Sequence, residues 1–157
     1  MTDARETGGP SRRTILLTIG GTAVAAGLTA VPGLAWADEA AVAEAIKGMV
    51  GDMPPESGVT LDLPEIAENG NTVPLSFEVD APMSGDVYVK DVMVLADGNP
   101  SPDVAVFHFT PMSGKAAAST RLRLAGTQNV VAVAQLSDGT AMMGKKQVKV
   151  TIGGCGG

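Results

Sequence analysis

The spacing of hydrophobic residues changes along the chain, and residues 39–50 have the spacing of a helix. Residues 39–50 are rich in alanine, and their larger apolar side chains recur at spacings of three and four, which is typical of an amphipathic helix. These side chains are Val42, Ile46, Met49 and Val50. Asp38 stands at the N-cap position, and Gly51 supplies a signal that ends a helix. The pattern predicts one short helix over residues 39–50.

From residue 59 onward the hydrophobic period changes to two, the period of a half-buried strand. Seven segments are predicted as strands: 59–63, 73–79, 88–95, 104–109, 118–124, 130–136 and 146–152. In the third segment the alternation changes phase at Lys90-Asp91, which predicts a β-bulge. Regularly spaced short strands predict an all-β fold, an immunoglobulin-like β-sandwich with a short N-terminal helix, in a domain of residues 38–152.

Residues 1–37 have the pattern of an export signal. The twin arginine Arg12-Arg13 precedes an uncharged, mainly apolar run over residues 15–31, and Ala35-Trp36-Ala37 resembles a cleavage site. We expect a twin-arginine (Tat) signal peptide and a mature periplasmic chain that begins near Asp38, with no membrane anchor after cleavage. An uncleaved anchor is the alternative, but glycines interrupt the run and a spanning helix needs about 20 mainly apolar residues.

The charge balance of the chain is acidic. The 157 residues include 11 Lys and Arg against 17 Asp and Glu, a formal charge of −6. Removal of residues 1–37 takes away three arginines and two carboxylates, which leaves 8 against 15 and a charge of −7. Because a nucleic acid needs a basic surface for its phosphates, we expect no nucleic acid partner.

The last five residues, GGCGG at 153–157, hold the one cysteine of the chain. An odd cysteine in an exported protein indicates an intermolecular disulfide or a free reactive thiol. The flanking residues, predicted to form a flexible arm, are Gly153, Gly154, Gly156 and Gly157. No neighbouring base or cation activates the thiol of Cys155, so it is predicted to be a tethered carrier group on which other proteins act. A frayed terminus that happens to hold a cysteine is the alternative.

The remaining polar residues suggest no catalytic or metal site. His108 is the sole histidine and is expected to pack or to make a surface contact. Arg121 and Arg123 share one strand face, which is read as a solvated edge or a partner surface. Since no paired carboxylates, catalytic triad or metal-ligand cluster stands out, the sequence predicts a protein that is not an enzyme.

Several stretches resemble the SoxY family, the carrier subunits of bacterial thiosulfate oxidation. The ending VKVTIGGCGG at 148–157 is the most specific of them, and residues 63–80, 106–125 and 127–139 are similar to the family as well. Together with the twin-arginine leader, the resemblance extends over nearly the whole chain.

The resemblance implies a set of partners and a covalent chemistry. In that family the carrier pairs with SoxZ, in a heterodimer or heterotetramer, and the cysteine that matches Cys155 holds the sulfur. SoxAX couples thiosulfate to the thiol as a cysteine S-thiosulfonate, SoxB releases sulfate, and SoxCD, where present, oxidises the remaining persulfide. These contacts are transient, and no cofactor beyond the sulfur adducts is implied.

Two other kinds of protein are considered from the same tail. Ubiquitin-like sulfur carriers use a terminal Gly-Gly carboxylate, which Gly156-Gly157 could imitate, but they are β-grasp domains with a central helix that these strands lack. A periplasmic immunoglobulin-like binding module whose tail cysteine forms an intermolecular disulfide is the other alternative.

Overall fold

The computed structural model describes residues 37–154. The predicted leader with Arg12 and Arg13 lies outside the described residues, except for Ala37, and so do Cys155, Gly156 and Gly157. None of the helices in the described range is long and apolar enough to cross a membrane.

The described range contains one α-helix, nine strands and a short 3₁₀ turn at Pro111–Ser113. The α-helix and strands are α1 (Glu39–Val50), β1 (Glu56–Asp62), β2 (Ile66–Asn69), β3 (Val73–Val79), β4 (Met83–Ser84), β5 (Val87–Ala96), β6 (Asp103–His108), β7 (Ala117–Leu122), β8 (Gln128–Leu136) and β9 (Ala141–Ile152). Each of the predicted strands is confirmed. Strands β2 and β4 were not predicted, and β9 begins at Ala141 rather than at residue 146.

Local signals account for the boundaries of the helix and for the bulge. The side chain of Asp38 accepts a hydrogen bond of 2.9 Å from the N–H of Ala41, as predicted for an N-cap. Helix α1 ends at Gly51, whose φ of 86° lies in the region that favours glycine. In β5, the pairing with β8 shifts register between Val89 and Asp91, which confirms the predicted bulge.

The strands form the two layers of an all-β, immunoglobulin-like sandwich. Hydrogen-bonded neighbours follow the order β4-β5-β8-β9-β1-β3-β7, with β6 paired to β5 and β2 paired to β9. Strand β1 passes from one layer to the other at Gly58, because residues 56–58 pair with Met143 of β9 while residues 59–62 pair antiparallel with β3. The sandwich core lies between the layer of β1, β3 and β7 and the layer of β5, β6, β8 and β9.

A third layer explains why β5 and β8 are apolar on both faces. Val92 and Val94 of β5 belong to the sandwich core, whereas Met93 and Leu95 face the helix. Ile46 of α1 is only 1% exposed and packs in this second cluster. A strand buried on both faces reads as a nearly continuous apolar run, and residues 130–136 show this pattern with Gln135 as the one polar residue.

Candidate functional site

The last strand brings the C-terminal end of the described chain to one corner of the sandwich. The end of β9 runs parallel to β2, with Lys149 opposite Ile66 and Ile152 opposite Asn69. In the turn between β2 and β3, the N–H of Gly70 donates to the carbonyl oxygen of Ile152 at 2.8 Å. The chain therefore leaves β9 alongside this turn. Ile152 is 66% exposed, because it stands at the open end of the strand.

Backbone groups of two loops hold the glycines that follow. The N–H of Gly154 donates to the carbonyl oxygen of Leu124 at 2.9 Å, and the N–H of Leu124 donates to that of Gly70 at 2.8 Å. A Cβ on Gly153 would collide with the carbonyl oxygen of Ala125, and a Cβ on Gly154 would lie 2.9 Å from that of Gly70. We call the backbone groups of Gly70, Leu124 and Ala125 the arm cradle.

The arm cradle gives Gly153 and Gly154 a contact that the sequence did not reveal. Both belong to the predicted flexible arm, but Gly154 is buried, and both approach the backbone of neighbouring loops too closely to admit a side chain. Glycine is needed at these two positions for close approach. The predictions for Cys155, Gly156 and Gly157 concern residues outside the described range and stay predictions.

Two buried polar side chains fix the loop that forms one wall of the arm cradle. Asn99 and Gln128 are 3% and 4% exposed, and Nε2 of Gln128 donates to Oδ1 of Asn99 at 3.0 Å. Nδ2 of Asn99 donates to the carbonyl oxygen of Arg123, and its Oδ1 accepts from the N–H of Ala125, both at 3.0 Å. Nε2 of Gln128 also donates to the carbonyl oxygen of Gly126 at 3.1 Å. These bonds hold the loop along its length.

The sequence patterns do not single out Asn99 or Gln128. Asn99 reads only as part of the turn between Gly98 and Pro100. The signal that could have found the pair is an amide side chain, Gln128, at the start of a strand that is otherwise buried, since a buried amide needs hydrogen-bond partners. The backbone carbonyl oxygen of Asn99 also accepts a hydrogen bond of 2.8 Å from the N–H of Ala37.

The other polar residues considered from the sequence are exposed. The side chain of His108, on β6, is 78% exposed, and its Nδ1 lies 2.5 Å from Oδ1 of Asp91. Arg121 and Arg123 are exposed and form no ion pair within residues 37–154. In the same range no three His, Cys, Asp or Glu side chains stand together as a metal site would require.

A match to a family model identifies the family of the chain. Residues 46–155 match the model of the sulfur oxidation protein SoxY, and the match includes Cys155. The chain belongs to the SoxY family. Membership gives it a carrier role in sulfur oxidation.

Solved structures agree with the family match. The sulfur carrier protein SoxY from Chlorobium limicola f thiosulfatophilum is 32% identical, with a TM-score of 0.60 over 72% of this chain and 98% of that one. A superoxide reductase (neelaredoxin) from Ignicoccus hospitalis has a TM-score of 0.54 over 60% of this chain and 80% of its own. At 14% identity, that second likeness shows a shared fold alone. A search of curated proteins finds no match to the chain.

Proposed function

We propose that this SoxY-family chain carries sulfur intermediates covalently on Cys155 and presents them to the enzymes of the Sox system in the periplasm. The observation that supports this most is the family match, which runs through Cys155, the one cysteine of the chain. The protein itself is proposed to catalyse no step. Only glycines adjoin Cys155 in the sequence, so the groups that activate its thiol are proposed to belong to its partners.

The loading step forms one S–S bond. The Cys155 thiol and thiosulfate combine into a cysteine S-thiosulfonate, with loss of the thiol proton and of two electrons, and the c-type cytochrome enzyme SoxAX takes up those electrons. Because the adduct is anionic and stands at the end of an arm, a partner has to provide the compensating positive charge.

The unloading steps return the thiol. SoxB adds water across the bond to the terminal sulfonate, which leaves as sulfate and a proton while the cysteine remains as a persulfide. Where SoxCD is present, it oxidises the outer persulfide sulfur to a sulfonate with water as the oxygen source and removal of six electrons. A second hydrolysis by SoxB then releases sulfate and restores the thiol.

The partners and the compartment follow from the same proposal. We propose a stable pair with SoxZ, as a heterodimer or heterotetramer, and transient contacts with SoxAX, SoxB and, where present, SoxCD. The twin arginine of the leader, Arg12-Arg13, supports export as a folded unit into the periplasm.

Intact-mass spectrometry tests the covalent role. Protein from thiosulfate-grown cells is expected to carry added mass equal to S₂O₃ or to one or more sulfur atoms, and a Cys155→Ser variant is expected to carry none. Protein from cells grown without thiosulfate is the control. An unmodified Cys155, or a disulfide dimer that reduces to an unmodified chain, would contradict the proposal and favour the binding-module alternative.

A further inference from the structure

The contacts of Gly154 determine where the C-terminal arm leaves the body. Measured from Ile152, an extended chain would carry Cys155 about 10 Å away, at about 3.3–3.6 Å per residue. The N–H of Gly154 is bonded to the carbonyl oxygen of Leu124, and Cys155 follows Gly154 by one residue step, about 3.5 Å.

We infer that the arm cradle is a positioning device: it fixes the root of the carrier arm at Gly154, so that Cys155 is presented to partner enzymes one residue step beyond a fixed point of the body. This inference rests on the proposed carrier function. It assigns a role to Gly70, Leu124 and Ala125. Asn99 contributes indirectly, because its side chain is hydrogen-bonded to the backbone of Arg123 and Ala125 and so fixes that loop.

Close approach on both sides of the contact supports this assignment. A Cβ on Gly70 would collide with the carbonyl oxygen of Leu124 and would lie 2.7 Å from the backbone nitrogen of Gly154. A Cβ on Gly153 would collide with the opposite wall, at Ala125. A side chain on either segment would therefore separate the arm from the body. By contrast, Gly126 in the same loop has no atom within 4 Å of its Cβ position.

A fixed root has a consequence for recognition. If the arm were free from Ile152 onward, each partner would have to order three residues before the thiol could react, and ordering a residue opposes binding. With Gly154 held, the position of the cargo varies much less. A partner enzyme can then use the corner formed by Gly70 and Leu124 as a fixed reference point, since Cys155 follows Gly154 directly in the chain.

A spin label on Cys155 tests whether the cradle holds the arm. Cys155 is the one cysteine of the chain, so labelling of the mature protein needs no other substitution. Gly153→Ala is expected to free the arm and to shorten the rotational correlation time of the nitroxide by roughly threefold. Gly126→Ala, in the same loop but with open space around it, is the matched control and is expected to leave the spectrum unchanged.

Amide exchange gives a second measurement without a label. In the parent chain the Gly154 amide is expected to exchange at least roughly tenfold more slowly than its intrinsic rate, and in Gly153→Ala at close to that rate. Gly154→Ala, which crowds the carbonyl oxygen of Gly70, is a second variant for both measurements. Unprotected Gly154 in the parent, or spectra that do not distinguish Gly153→Ala from Gly126→Ala, would overturn the inference.

Loading kinetics separate positioning from mere attachment. With SoxAX and thiosulfate, the KM for Gly153→Ala as the acceptor is expected to rise by roughly tenfold with a smaller change in kcat, because the freed arm must be ordered on binding. Unchanged kinetics despite a freed arm would refute the positioning role. A parent chain that takes no sulfur at all would refute the proposed function instead, and the exchange and spectral results would still decide whether the cradle holds Gly154.

Discussion

Replacement of Asn99 by alanine removes the central support of the loop beside the arm. The side chain makes three hydrogen bonds, to the carbonyl oxygen of Arg123, from the N–H of Ala125 and from Nε2 of Gln128. Gln128 would keep a partner in the carbonyl oxygen of Gly126. The carbonyl oxygen of Arg123 and the N–H of Ala125 would lose their partner, and both of these hydrogen bonds are partly buried.

The expected loss of stability follows from these bonds. A typical protein hydrogen bond contributes about 0.5–1.5 kcal/mol net, and leaving a buried group without a partner costs about 1–3 kcal/mol. Because water reaches part of this loop, some of the freed groups are solvated, and we expect Asn99→Ala to lower the free energy of unfolding by about 2–4 kcal/mol. A domain of this kind has about 5–15 kcal/mol in total, so the variant is expected to remain folded.

Equilibrium unfolding in urea measures the difference. Ser101→Ala is the control, since Ser101 is exposed in the neighbouring turn and forms no hydrogen bond within the described residues; it is expected to change the free energy of unfolding by less than about 0.5 kcal/mol. A loss below about 1 kcal/mol for Asn99→Ala, at an unchanged m-value, would refute the view that this amide holds the loop.

Three further predictions follow from single positions. Ile46→Ala leaves a cavity under the helix and is expected to cost about 2–5 kcal/mol in urea unfolding; a loss under about 1 kcal/mol would mean that the helix is not anchored there. Gly144→Ala is expected to lower the melting temperature, because its Cβ would collide with the backbone of β1. The control is Gly48→Ala, in the helix with no atom within 4 Å of its Cβ position, which is expected to stabilise the folded protein by up to about 1 kcal/mol. Equal effects of the two variants on the melting temperature would contradict the close approach of Gly144 to β1. Hydrogen bonds from the hydroxyl of Thr140, and then from its N–H, lower the pKa of Asp138 from 3.8, so any stabilisation is present above pH 3.8 and is lost as the pH falls through the lower folded pKa. Thr140→Val is expected to raise the pKa of Asp138 in a carboxyl NMR titration, and an unchanged pKa would contradict the assignment.

Most of the fold could be predicted because its signals are local. The cap at Asp38, the stop at Gly51 and the alternation in β3 each depend on a few neighbouring residues. Strand β2 lacks such a signal: only Ala67 is buried in it, and Ile66 is 60% exposed. It becomes a strand because the end of β9 lies beside it, which no local pattern reveals.

The site could be predicted only in part, for the same reason. The tail can be recognised from its composition, because its one cysteine, Cys155, lies between paired glycines. The role of Gly153 does not, because glycine serves both conformational freedom and close approach, and only the position of Ala125 distinguishes the two. Asn99 is likewise unremarkable in sequence until the loop at Arg123 is placed against it.

Glycine at positions 153 and 154 meets two demands that activity measurements alone do not separate. A side chain there would strike the body, and under the carrier proposal it would also thicken the arm that partner active sites admit. Either effect lowers the loading rate of a Gly153→Ala variant. The mobility of the spin label and the exchange rate of the Gly154 amide report on the contact between the arm and the arm cradle with no partner present. The separate effects on KM and kcat report on binding to the partner enzyme. Agreement between the two kinds of measurement would therefore assign the requirement for glycine to the arm cradle rather than to the enzymes that visit it.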